Sequence, residues 1–100
     1  MPKGYLIAHV SIFDADAYAA YATAAGDAMK EFNPKVIAWS GLYENLEGEA
    51  HEHHVIFEFN SFAEAKRFYE SPKYQAAKAL RVSAATGTFV LVEEYSEFSM

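Results

Sequence analysis

His9 and Glu58 are the residues of this chain best suited to moving protons. A carboxylate beside an imidazole holds the ring in one tautomer and raises its pKa. In a partly dry cleft such a pair acts as general base or acid. Both residues fall toward the ends of runs that read as strands, Gly4–Ile12 and 50–59. If those strands run parallel as central neighbours, the two side chains meet, and His9 and Glu58 are the candidate catalytic pair. The competing reading is a structural hydrogen bond between two half-buried polar groups.

Other residues offer binding rather than chemistry. A hairpin centred near Gly48 would set Trp39 opposite Glu58 and Tyr43 opposite His54. All four would then share one face, although a slip of one residue would reverse that assignment. Tyr74, Lys78 and Arg81 lie on one helix stripe by their spacing. Such a stripe offers a phenol and a cation to an anionic ligand at a pocket edge, and a solvated helix face is its plainer reading. The candidate ligand-binding residues are therefore Trp39, Tyr43, His54, Tyr74 and Arg81.

His51-Glu52-His53-His54 is the densest run of titratable side chains. His51 and His53 would share one side of a strand and, with a carboxylate, have the donors for a metal. No third ligand stands at a fixed spacing and there is no HExxH arrangement. No glycine-rich loop fits a nucleotide phosphate, and no serine occupies a nucleophile elbow. Neither a metal nor a cofactor is assigned.

The elements that must position these groups follow from periodicity. Gly4–Ile12 alternates as a strand. From 14 to 32, Tyr18, Tyr21, Ala22, Ala25, Met29 and Phe32 form one helix stripe, capped by Asp14 and ended at Asn33-Pro34. Gly26 inside that helix weakens it by about 1 kcal/mol relative to alanine and would permit close packing on the sheet. Residues 35–46 and 50–59 read as strands joined through Glu47-Gly48-Glu49. Ser61-Phe62-Ala63-Glu64 has the capping-box pattern, and Ser71-Pro72 restarts the second helix, which runs to about Val82. Residues 88–95 read as the last strand. This is one ferredoxin-like domain over 1–96 with a short tail at 97–100.

The order β-α-β-β-α-β predicts an α+β fold: a four-stranded antiparallel sheet with its helices on one face. A doubly wound sheet does not fit, because two strands follow each other with no helix between them. The uncovered face would carry Tyr5, Ile7, His9 and Ser11 from the first strand and His54, Ile56 and Glu58 from the third. That mixture of large apolar and titratable groups is unlike a solvated face. It predicts a second copy of the chain packed over the sheet, with a polar pocket left between the copies.

Composition narrows the rest. Of 100 residues, 52% are apolar and 22% charged, which describes a globular chain. A net charge of −6 disfavours nucleic acid and anionic membrane surfaces as partners. The absence of cysteine excludes disulfides, thiolate nucleophiles and zinc–cysteine sites. No apolar stretch approaches the roughly 20 residues of a membrane helix. The opening residues do not read as a signal peptide, so the cytoplasm is the expected compartment.

Gly4-Tyr5 followed by Asp14-Ala15-Asp16-Ala17-Tyr18 resembles an opening "GYxxAxVxxxDxEAY", and Leu46-Glu47-Gly48 an "LEG" hairpin. Phe57-Glu58-Phe59-Asn60-Ser61-Phe62, then Phe68-Tyr69-Glu70-Ser71-Pro72-Lys73-Tyr74-Gln75 with Arg81, is similar to "IEFPSF…FYxSPEYQ…R". Val92-Glu93 resembles a closing "VEG". Over about residues 3–95 this is the pattern of the bacterial "domain of unknown function 1330" family. The resemblance implies a dimeric α+β barrel whose activity is unassigned. The chain departs from it at Trp39-Ser40-Gly41, where the family commonly reads Arg-Gly-Gly, and at His53, where an arginine commonly stands. Losing those two cations would turn an anion site into an aromatic or neutral one.

Three functions fit these residues. One is a cofactor-independent enzyme in which His9 and Glu58 move protons on an enolisable or phenolic substrate. The second is a module that binds a small apolar-aromatic ligand without chemistry. The third is a structural homodimer. The sequence leans to small-molecule binding with proton-transfer chemistry.

Overall fold

In the computed structural model, which describes residues 2–96, the expected tail at 97–100 lies outside the described residues. The elements are β1 (Gly4–Ile12), α1 (Ala15–Met29), β2 (Lys35–Trp39), β3 (His53–Phe59), α2 (Phe62–Glu70), α3 (Pro72–Arg81) and β4 (Ala85–Glu93). The strands lie in the order β2-β3-β1-β4, and every pairing is antiparallel. This is the α+β, ferredoxin-like arrangement that the order of elements demands.

Local chemistry starts each helix. Asp14 accepts a hydrogen bond from the Ala17 N–H at 3.1 Å and caps α1. Ser61 does the same for α2 through the Glu64 N–H at 3.1 Å. Ser71 ends α2 and caps α3 through the Tyr74 N–H at 3.3 Å, with Pro72 in the first turn. Asn33, at φ 45°, turns the chain out of α1 ahead of Pro34.

Alternation in β1 and β3 sorts side chains to two faces. Leu6, Ala8, Val10, Val55, Phe57 and Phe59 are buried under the helices. There Phe68 packs on Phe32, Phe59 and Tyr74 with ring centroids 4.9–5.6 Å apart. Gly4 has no room for a side chain: a Cβ would stand 2.5 Å from the Ser61 carbonyl oxygen, because β1 begins against the cap of α2. Gly26 is the reverse case. A Cβ there meets nothing within 4 Å, so this glycine leaves space rather than closing it, contrary to the close packing expected.

Other expectations fail for definable reasons. β1 and β3 are antiparallel neighbours, not parallel ones. The right-handed crossover through α1 returns β2 parallel to β1 with a one-strand gap, and β3 then reverses to fill it. β2 stops at Trp39 instead of reaching 46, because Ser40 adopts φ 49° and leaves the strand. Residues 40–52 are thus a loop rather than a tight hairpin, with Gly48 at φ 83° in its turn. α1 ends at Met29 rather than 32. β4 begins three residues before the expected Thr88, because Ala85, Thr86 and Gly87 complete the ladder along β1. Small residues carry little strand signal of their own.

Candidate functional site

The predicted site residues separate onto opposite sides of the sheet. In the antiparallel register Tyr5 faces Glu58, and His9 faces His54. His9 and Glu58 share the uncovered face but stand four residues apart along the strands, about 13 Å at 3.3 Å per residue. The expected pair is therefore not formed. Glu58 instead accepts a hydrogen bond from the Tyr5 phenol at 3.1 Å.

His9 belongs to a histidine cluster. Its Nδ1 lies 2.7 Å from Nδ1 of His54, and Nε2 of His54 lies 2.8 Å from the backbone carbonyl oxygen of His51. A carbonyl only accepts, so neutral His54 carries its proton on Nε2 and its Nδ1 is the acceptor. His9 must then donate from Nδ1, which leaves a lone pair on its Nε2. Burial lowers the pKa of His9, and the neighbouring His54 and His51 lower it further. The imidazole is thus an unprotonated base near neutral pH. This is opposite in sign to the raised pKa that a carboxylate partner would have given.

His51 is the peg under this cluster. It is buried, and its Nε2–H faces Glu49 at 3.3 Å, so its Nδ1 accepts from the Ser11 hydroxyl at 3.0 Å. The Asn45 side chain brackets its backbone, donating to the carbonyl at 2.9 Å and accepting from the N–H at 3.4 Å. Tyr43 stacks on His54 with centroids 4.9 Å apart, reaching it from the loop rather than across a strand pair. His9, Tyr43, Asn45, His51 and His54 line a cleft of about 620 Å³ on the open face, rimmed by Glu44, Glu47 and Glu49.

Trp39, Tyr74 and Arg81 lie on the other side. A bulge at Ile37 shifts the β2 ladder, so Trp39 pairs with Val55 and packs on Phe57, ring centroids 5.6 Å apart. The expected pairing with Glu58 falls to Lys35. Tyr74 is buried, and its hydroxyl meets that of Tyr21 at 2.9 Å. Burial, then Tyr74, pushes the Tyr21 phenol far up, so it stays protonated. Arg81 is 9% exposed and lies over the Phe89 ring, 3.9 Å from its centroid. Lys78, on the same helix stripe, turns away to the ring of Tyr69. Between α1 and the sheet is a small apolar chamber of about 40 Å³, walled by Tyr18, Tyr21, Phe57, Tyr74 and Phe89 and reaching Gly26 and Trp39.

His51 and His53 do not share a side, because His51 precedes the strand. Its ring turns to the open face, while His53 meets Ser40 and stacks edge-on with Tyr18 beside the chamber. Among the described residues no group of three or more His, Cys, Asp or Glu side chains is placed to hold a metal ion. Also among them, no helix is long and apolar enough to cross a membrane. Sequence reasoning missed Ser11, Asn45, Tyr18, Tyr21 and the positioning part of His51. The tyrosines were hidden inside an ordinary core stripe; Asn45 and Ser11 act through a loop closure that no spacing announces.

A family model described as a domain of unknown function (DUF1330) matches residues 3–95. No curated protein matches the chain. Among solved structures, RPA0582 from Rhodopseudomonas palustris, a protein of unknown function, is similar at 21% identity and a TM-score of 0.77. That match covers 95% of this chain and 84% of that one. A dimeric protein of unknown function with a ferredoxin-like fold from Bacteroides fragilis is 16% identical, with a TM-score of 0.55 over 91% of this chain and 95% of that one. SnoaB from Streptomyces nogalater, a cofactor-independent oxygenase, is 12% identical, with a TM-score of 0.60 over the whole of both chains. At these identities the likeness is one of fold.

Proposed function

The chain belongs to the DUF1330 family, and from that premise we propose that it is a homodimer whose open-face cleft binds a small neutral molecule and takes a proton from it through Nε2 of His9. The observation that carries this reading is the hydrogen-bonded chain from the His51 carbonyl through His54 to His9. It fixes the tautomers and leaves a basic nitrogen with no hydrogen-bond partner among the described residues. Three carboxylates on the rim repel anions, which selects a neutral substrate.

Dimerisation is supported by the open face itself. Ile7 and Ile56 pair across β1 and β3, with Val90 beside them at 47% exposure and Val92 at 42%. Leu42 and Leu46 on the neighbouring loop are also exposed. A second copy laid over this apolar strip would remove it from water and dry the cleft. Two of the structurally similar proteins are described as dimeric.

Sedimentation and imidazole NMR test the two halves. The expected results are two subunits per particle, His9 protonated on Nδ1 and His54 on Nε2. A single subunit at micromolar concentration, or His9 protonated on Nε2, would overturn the reading. Deuterium exchange into acetylacetone, a neutral enolisable probe, is expected to run faster with the protein than with its His9→Gln variant. Equal rates would reduce the cleft to a binding site without chemistry.

A further inference from the structure

The chamber between α1 and the sheet has more hydrogen-bond donors in its walls than acceptors for them. Tyr18, Tyr21 and Tyr74 are all wall residues, and a single hydrogen bond, between the Tyr21 and Tyr74 hydroxyls, joins them. A pair of hydroxyls joined by one bond uses one of its two hydrogens. The second hydrogen of that pair finds no acceptor among the described residues, and neither does the hydroxyl of Tyr18. Tyr21 is 7% exposed and Tyr74 1%, so bulk water does not reach them freely. Burial raises the pKa of both Tyr18 and Tyr21, so these phenols keep their protons and remain donors. A buried donor left without an acceptor is costly unless something else completes it.

The rest of the chamber says what could supply that acceptor. Its other walls are apolar, among them Leu6, Val55, Phe57 and Phe89, and no Asp, Glu, Lys or Arg lines it. An ion would be stranded there, so the occupant is neutral. A volume of about 40 Å³ has room for about three water-sized groups. Water fits poorly, because a buried water makes about three hydrogen bonds and these walls are apolar beyond the hydroxyls. The space is also kept at a cost. A Cβ at Gly26 would meet nothing within 4 Å, so alanine would fit and would strengthen α1. Glycine instead leaves that part of the chamber open, beside an indole, Trp39, that is 51% exposed.

We propose that this helix-side chamber binds a small neutral molecule with one carbonyl group, whose oxygen accepts from the buried tyrosine hydroxyls while its apolar remainder fills the space toward Gly26. A carbonyl oxygen has two lone pairs and no hydrogen, so it can take the surplus donors without adding another. An apolar cavity with a few convergent polar groups is the usual form of a small-molecule site. This site is separate from the His9 cleft and needs neither the dimer nor proton transfer.

Butanone is the probe, titrated into the full-length protein and followed by methyl NMR. The methyls of Leu6 and Val55 report the chamber, and those of Ile7 and Ile56 report the open face. Saturable shifts are expected at Leu6 and Val55, with a Kd of about 1 mM or below, which lies within the ceiling for so small a ligand. The double variant Tyr21→Phe/Tyr74→Phe removes both hydroxyls and keeps both rings. It is expected to weaken butanone about tenfold. The same variant is expected to leave the methylene isostere of butanone, in which a methylene group replaces the carbonyl oxygen, within about twofold. Its unliganded Tm is expected to hold or rise, because no donor is left unpaired. Gly26→Leu fills the space and is expected to weaken both ligands at least about tenfold. Should the double variant fail to fold, the wild-type titration and the Gly26→Leu arm still decide. No saturable shift at about 50 mM, tens of times the expected Kd, would overturn the proposal. Saturable shifts at Ile7 and Ile56 alone would overturn it too, and would place the ketone in the open-face cleft instead. Undiminished butanone binding by either variant would do the same.

Discussion

The two faces of this sheet are built from alternate residues of the same strands, yet they solve opposite problems. The helix side is packed around Phe68 and Tyr74 and lays Arg81 over the Phe89 ring, its Nε buried without a hydrogen-bond partner among the described residues. The open side presents apolar Ile7, Ile56, Val90 and Val92 and ties its histidines into a hydrogen-bond chain that ends at His9. One face encloses an apolar chamber; the other is rimmed by carboxylates and carries exposed apolar side chains. The difference teaches that alternation assigns the side of a residue, while the partner of each polar group is set by segments that alternation does not describe.

The comparison breaks first where packing is densest. Phe68→Ala removes a ring wholly enclosed by three others and is expected to cost about 3–5 kcal/mol in denaturant unfolding, whatever the protein concentration. Ile56→Lys acts on the other face. In a symmetric interface each change appears twice, so a charge there is expected to weaken self-association by several kcal/mol while leaving the monomer folded. Sedimentation velocity checks it, and an unchanged particle size would mean the open face is not the contact.

Smaller effects sharpen the contrast. Tyr74→Phe leaves the buried Tyr21 hydroxyl without its 2.9 Å partner and is expected to cost about 1–2 kcal/mol. Ser40 holds φ 49°, where glycine is unstrained, so Ser40→Gly is expected to gain up to about 1 kcal/mol, less the lost contact with His53.

The faintest expected effect is common to both faces. His9 on the open side and His53 on the helix side both have pKa values lowered from 6.5, by burial first and by histidine neighbours second. The unfolded chain therefore binds more protons than the native one just below pH 6.5. Their stabilisation is complete above that pH and fades as pH falls from 6.5 toward the lowered native values. Unfolding midpoints across pH 5–8 check the direction, and His9→Gln is expected to flatten part of the slope.

Much of the fold was legible locally. Asp14, Ser61 and Ser71-Pro72 announce their helices because a cap needs one side chain and one nearby N–H. β1 was legible end to end because its alternation is uninterrupted. The candidate site was legible only in its residue types. His9, His54 and Tyr43 do meet, but through the strand register and a folded-back loop. Glu58 does not join them, and Trp39 crosses to the other face because of one bulged residue. A bulge and a left-handed Ser40 are single-residue choices set by neighbours distant in sequence.

By itself, the sequence determined the order of elements, their caps, and which side chains of β1 and β3 share a face, since these depend on contacts a few residues long. Tertiary structure decided the antiparallel pairing of β1 with β3, the tautomer of His9, the placing of Arg81 over the Phe89 ring and the chamber beside Gly26. Each of these arises where segments far apart in the chain meet, and the energy of such a meeting is written in neither segment alone.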